Sequence, residues 1–283
     1  MDPTLDFLAA ALRIATPLLW AALGELIAER AGVINLSVEG AMLAGCLGAA
    51  LGASASGDPW FGLVAGGTAG LVVALVFAAI AIWGRVDQII VGTALTMGSI
   101  GVTGLWYRRA FGSEGVGLTL PTIALTPTFA AVVLVGIVWW ALFRTTWGLS
   151  LRATGEAAEA ARASGVRVRR VQTTAVALGG VLAGIGGATL VLAQVGTFAE
   201  RMTAGRGFIA IAIVVLGRWH PVGVLVASLG FGAATALQFA FQAMGLAVPY
   251  QFFLMLPYLI ALIALTGVTG RARAPGQLGR TVQ

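Results

Sequence analysis

Apolar residues fall in long runs separated by short polar punctuation, at about residues 7–24, 41–54, 60–83, 89–106, 128–143, 173–193, 208–217, 222–243 and 251–267. A helix needs roughly 20 apolar residues to cross a bilayer, so this pattern predicts membrane spans. Several runs are shorter and predict half-helices or re-entrant segments, because non-helical backbone at membrane depth must lie against protein or a water-filled cavity. The expected fold is all-α: a polytopic membrane protein of about nine spans (eight to ten), built as a single transmembrane domain over residues 1–283. Two polar stretches stand out. Glu29–Gly40 reads "ERAGVINLSVEG" between two very apolar segments, and residues 144–172 form the one long polar loop.

Composition agrees with the pattern. The 283 residues are 59% hydrophobic and 10% charged, against about a quarter charged in soluble domains, and mean hydropathy is +0.95. All 17 basic residues are arginine. Without lysine the chain has neither a Walker A phosphate grip nor a Schiff base, so any ATP that drives it is hydrolysed by another chain. One histidine, His220, and one cysteine, Cys46, exclude an intrachain disulfide and argue against a His/Cys-rich metal cluster. Leu43-Ala44-Gly45-Cys46 matches a lipoprotein cleavage box, but a charged segment precedes it rather than an uninterrupted signal helix, and the N-terminal "MDPTLDFLAA" has no positive leader.

Arginine placement sets the expected orientation. Arg144, Arg152, Arg162, Arg167, Arg169 and Arg170 fall in the 144–172 loop, and Arg271, Arg273 and Arg280 in the tail 268–283. Both segments are assigned to the cytoplasm, with Arg30, Arg85 and Arg218 on the same side. Arg108, Arg109, Arg201 and Arg206 are assigned outside, together with the N-terminus. The basic charge thus reads as topology rather than nucleic-acid binding. Glycines at small-xxx-small spacing, Gly48 with Gly52, Gly66 with Gly70 and Gly180 with Gly184, predict close helix packing.

Polar residues at membrane depth supply the candidates for a substrate path. Asn35, Ser37 and Glu39 adjoin the second span, and for Asn35 lining a path and capping a broken helix remain equally open. Glu25, Glu29 and Arg30 suggest a structural ion pair. Gln88 and Thr93 open the fourth span, where helix-to-helix hydrogen bonding competes with substrate contact. Gln194 ends a span; Gly205 and Gly207 then permit a bent start to the next, and Phe208 offers a ring for stacking or packing. Gln238 and Gln242 share a helix face. His220 is expected at a cytoplasmic turn.

Within the long loop, Glu156–Ser164 reads as a short helix with acidic residues in its first turn, an alanine face shaped for a partner's groove, and Gly165 as its stop. Glu159-Ala160-Ala161, three residues and Gly165 resemble the EAA-type coupling loop of ABC importer permeases. The blocks "LGELIAERAGVINLSVEGAMLAGCLGA", "VDQIIVGTAL", the wider loop "SLRATGEAAEAARASGV" and "GRGFIAIAIVVLGRWHPVGVLVASLGFG" resemble, in order, the permease family serving branched-chain amino acids, ribose-type sugars and purine nucleosides, nearest its shorter nucleoside permease. That resemblance implies a bacterial inner-membrane importer subunit for nucleosides, with sugars or branched-chain amino acids as alternatives. It also implies a larger second permease, a substrate-binding lipoprotein and a partner ATPase that binds ATP and Mg. Gly155, Glu156, Glu159, Ala160, Ala161, Arg162 and Gly165 would couple to that ATPase. An ion-coupled secondary transporter is the main competitor, weakened by spans almost free of central carboxylates and histidines. No Ser/His/Asp set or carboxylate pair supports an enzyme.

Overall fold

A computed structural model describes residues 3–112, 119–124, 126–243, 251, 255, 259 and 274–280. Most of the 251–267 run, with Arg271 and Arg273, lies outside the described residues. Every regular element among them is helical: α1 (Pro3–Arg30), α2 (Val38–Ser56), α3 (Pro59–Phe77), α4 (Gln88–Phe111), α5 (Thr126–Arg144), α6 (Thr146–Glu156), α7 (Ala158–Ala163), α8 (Val168–Thr189), α9 (Arg206–Leu216) and α10 (Pro221–Ala243). Wider π turns extend α3 over Ala78–Trp83 and α8 over Leu190–Val195.

Seven of these helices are long and apolar enough to cross a membrane: α1, α2, α3 with its π turn, α4, α5, α8 with its π turn, and α10. The run at 208–217 becomes α9, whose 11 residues extend about 16 Å, too short to span. The expected nine spans therefore appear, among the described residues, as seven plus one short apolar helix.

Backbone-to-backbone packing through glycine organises the centre. A Cβ on Gly70 of α3 would stand 2.2 Å from the Gly180 carbonyl oxygen of α8, and one on Gly45 of α2 would stand 2.3 Å from that of Gly184. Three helices thus meet at a distance no larger side chain permits, which gains dispersion contact where lipid provides no hydrophobic drive. α1 packs antiparallel on α8, with Gly24 against Gly179 and Pro17 against Gly186. α10 lies on the other side of α1, with Gly232 against Ala11 and Ala15.

The two ends of the bundle differ. At one, residues 119–124 lie along the π turn of α8, with Leu120 N–H donating to Gly196 O and Ile123 N–H to Leu192 O, both at 2.9 Å. Arg108 pairs there with Glu200 at 3.0 Å. At the other, the segment Ala274–Arg280 straps two elements together: Gln277 N–H donates to Gly155 O at 2.8 Å and Gly279 N–H to Gly32 O at 3.2 Å.

The polar loop 144–172 is mostly helix. Its short helix starts at Ala158 rather than Glu156, because Gly155 is pressed against the Arg30 carbonyl and Ala157 leaves helical geometry at φ −152°, ψ 84°. Glu156 therefore ends α6. The stop at Gly165 is as expected: φ is +87°, Gly165 N–H donates to Arg162 O and Val166 N–H to Ala161 O, the paired bonds of a Schellman turn. The alanine face is divided. Ala158 and Ala161 are buried with Val168 against the chain itself, while Ala157 and Ala160 are exposed.

Candidate functional site

Residues 31–37 leave helical geometry between α1 and α2, and they are almost wholly buried. Asn35 N–H donates to Glu25 Oε1 at 2.9 Å, a residue five positions, or about 7.5 Å of helix rise, before the end of α1. The chain therefore folds back into the bundle, and α2 starts at depth. Each exposed backbone group of such a segment would cost several kcal/mol in lipid, and side chains from around it meet that demand. Ile34 N–H donates to Gln88 Oε1 at 2.9 Å. Thr96 Oγ1 donates to Leu36 O at 3.1 Å and Gln172 Nε2 to Ala31 O at 3.3 Å. The Asn35 side chain accepts from the Ser37 N–H and hydroxyl, turning the chain into α2. Asn35 thus shapes the turn that leads into α2, whose N-cap is Ser37.

Two helix N-termini converge beyond this break. Glu39, in the first turn of α2, accepts at Oε1 from Thr203 Oγ1 (2.6 Å) and Gly205 N–H (2.9 Å), and at Oε2 from Gly207 N–H (2.6 Å). Its carboxylate closes the start of α9, satisfying orphan amides and opposing the positive end of the helix dipole. Gly207 admits this approach, since a Cβ there would lie 2.4 Å from Glu39 Cα. Arg206 is half-buried beside it and donates to Met202 O.

At the far end of α9 the acidic residues of α1 find neutral partners instead of the expected ion pair. Glu29 accepts from the Trp219 indole N–H, and Arg30 Nε donates to Trp219 O at 2.7 Å. Neighbouring His220 accepts at Nδ1 from Val222 N–H at 3.3 Å. Partial burial and then the Arg30 charge hold its imidazole below the ordinary value.

The path candidates thus separate. Asn35, Ser37, Glu39 and Gln88 are buried in the bonds just described, and Gln238 is buried in α10. Thr93 is half-buried and bonds its own helix at Ile89 O and Ile90 O. Half-buried Gln194 donates to Arg13 O, Gln242 is half-buried, and Phe208 is 43% exposed on α9. Of the coupling candidates, Gly155 and Ala161 are buried, whereas Glu156, Glu159, Ala160, Arg162 and Gly165 face outward. A groove of about 450 Å³ runs between α6 and α7, bordered by Leu149, Ala153, Ala157, Ala160 and Ser164. Thr96, Gln172, Thr203 and Trp219 escaped the sequence reading; only their position in otherwise apolar helices or glycine-rich turns marked them. Among the described residues no group of His, Cys, Asp and Glu is arranged to hold a metal ion.

Known proteins align over nearly all of this architecture. The guanosine ABC transporter permease NupQ of Bacillus subtilis is 34% identical, over 94% of this chain and 92% of that protein. The nucleoside ABC transporter permease NupC of Lactococcus lactis is 31% identical, over 96% and 95%. TsgC13 of Haloferax volcanii, provisionally named a glucose ABC transporter permease, is 36% identical, over 84% and 78%. No solved structure matches. Residues 7–265 match the model of the branched-chain amino acid transport system permease component, and the chain belongs to that permease family.

Proposed function

We propose that this permease is one half of an ABC importer's translocation unit and carries a nucleoside inward by alternating access. The observation that carries this reading is the near full-length similarity to two permeases named for guanosine and nucleosides. A neutral, hydrogen-bonding solute also suits the chain, because its buried carboxylates are engaged by protein donors. Phe208, with half-buried Thr93, Gln194 and Gln242, is the proposed contact set. Asn35, Ser37, Glu39, Gln88 and Gln238 shape the path from behind. TsgC13 keeps glucose as the second substrate reading.

In this scheme the outward face of α7, with Glu159, Ala160, Arg162 and Gly165, meets a partner ATPase that binds ATP and Mg. Motion there reaches the membrane through Gly155, which touches Arg30 and Gly32 at the start of the break. A second, larger permease and a binding lipoprotein complete the assembly in a bacterial cytoplasmic membrane, with the α7 end cytoplasmic.

Tagging the chain, extracting it gently from native membranes and identifying what co-purifies tests the assembly. A stoichiometric ATPase and second permease, with ATP-dependent guanosine uptake that glucose does not compete, are the expected result. A chain that purifies alone and takes up solute on an ion gradient overturns it.

A further inference from the structure

A basic pocket lies where the π turn of α3, the end of α7 and the start of α8 meet, on the side of α7 that carries Arg162. It has a volume of about 410 Å³ and is bordered by Trp83, Arg85, Arg162, Arg167, Arg169 and Arg170, with no carboxylate among its lining residues. Its level in the bundle is fixed by the spans that supply it. Trp83 is the last residue of the span Pro59–Trp83, and Val168 is the first of the span Val168–Val195. The pocket therefore lies at a membrane edge.

The charges there are arranged against their own helix. Arg167, Arg169 and Arg170 surround the first turn of α8, where the dipole favours anions and disfavours cations. No side chain caps that end, so helix and arginines present the same sign to the pocket. The nearest carboxylate in sequence, Asp87, is occupied in capping α4, accepting from Ile89 N–H and Ile90 N–H. The basic rim is held in shape: Arg169 lies over the Trp83 ring, 5.8 Å from its centroid, and Trp83 Nε1 donates to Thr173 Oγ1 at 3.0 Å.

The segments on either side of Trp83 and Arg85 carry exposed apolar side chains. Trp83 is 51% exposed, and Ile80, Val86, Ile89 and Ile90 are exposed beside it in sequence. An indole at the end of a span is the usual marker of headgroup depth. Guanidinium forks match phosphate oxygens in pairs, and basic pockets between spans recognise anionic headgroups. We propose that this pocket binds the phosphate of an anionic phospholipid, with its acyl chains lying along the Ile80–Ile90 flank. Free phosphate shares the anion chemistry but makes no use of that flank.

The test uses the full chain, reconstituted into phosphatidylcholine vesicles containing about one-fifth phosphatidylglycerol, then re-extracted and weighed intact with its retained lipids. The double variant Arg169→Gln/Arg170→Gln should retain less phosphatidylglycerol, about fivefold for each arginine removed, with phosphatidylcholine unchanged. Arg85→Gln, outside α8, should act in the same direction and covers the case in which the double variant perturbs that helix. Arg108→Gln, at the other end of the bundle, should have no effect. Unchanged phosphatidylglycerol in both pocket variants overturns the proposal. So does inorganic phosphate that binds the lipid-free chain at a site phosphatidylglycerol does not compete for. Loss of a co-purifying protein from the variants with lipid retention intact would also overturn it, reassigning the pocket to a protein surface.

Discussion

Glu39 is the second residue of α2, yet its two oxygens serve the start of α9, accepting from Thr203, Gly205 and Gly207. Glu39→Gln must set its amide NH2 against a backbone donor, Gly205 N–H at one oxygen position or Gly207 N–H at the other. It should destabilise the chain by about 1–3 kcal/mol, read as a lower unfolding temperature in detergent, while the protein still inserts. His220 yields a pH prediction. Its folded value lies below 6.5 through partial burial and the Arg30 charge, so the folded state resists a proton that the unfolded state accepts. The contribution of His220 to stability should be fully present above its unfolded value and fall as pH drops through about 6.5. His220→Gln should remove part of that fall. The polar cluster at 29–40 was visible in the sequence as a local excess of hydrogen-bonding groups. Its partners were not, because Gln172, Thr203 and Trp219 are distant in the chain and only packing brings them near.

Element boundaries were legible where a residue imposes its own geometry and obscure where a neighbour does. Gly165 stops α7 by adopting positive φ, a property glycine carries with it. The start of α7 is different, since "GEAAEAARAS" is continuous in helix propensity. The interruption comes from Gly155 docking against the end of α1, a contact no local pattern announces. Gly165→Pro cannot reach the observed φ and loses the bond from Gly165 N–H to Arg162 O. On the proposed coupling role, uptake driven by ATP should fall about tenfold or more while the amount of inserted protein is unchanged. Uptake at the normal rate would separate α7 from coupling. The apolar runs for α1 to α5, α8 and α10 were each recovered, while the run at 208–217 proved to be an 11-residue helix, because Glu39 closes its beginning inside the bundle.

At the scale of the whole molecule, arginine placement predicts a side for each end, and the chain allows that to be read directly. Its single cysteine, Cys46, is buried and donates to Gly187 O at 3.2 Å, so introduced thiols report without background. Ser56→Cys, at the end of α2, should react with a membrane-impermeant maleimide on intact cells, and Ser164→Cys should react only after the cells are opened. The reverse pattern would invert the orientation.

The strap at Ala274–Arg280 gives the molecule an order of assembly. The break at 31–37 emerges from the ribosome after Glu25 but before three of the residues that complete its bonding. Gln88 arrives first, then Gln172, and the bond onto the Gly32 carbonyl comes from Gly279, the most distant of the three along the chain. Until then this early segment must shelter its backbone in water, at the headgroups or with the insertion machinery. Seating the break is therefore a late, long-range step, set by synthesis of nearly the entire chain rather than by the first hairpin.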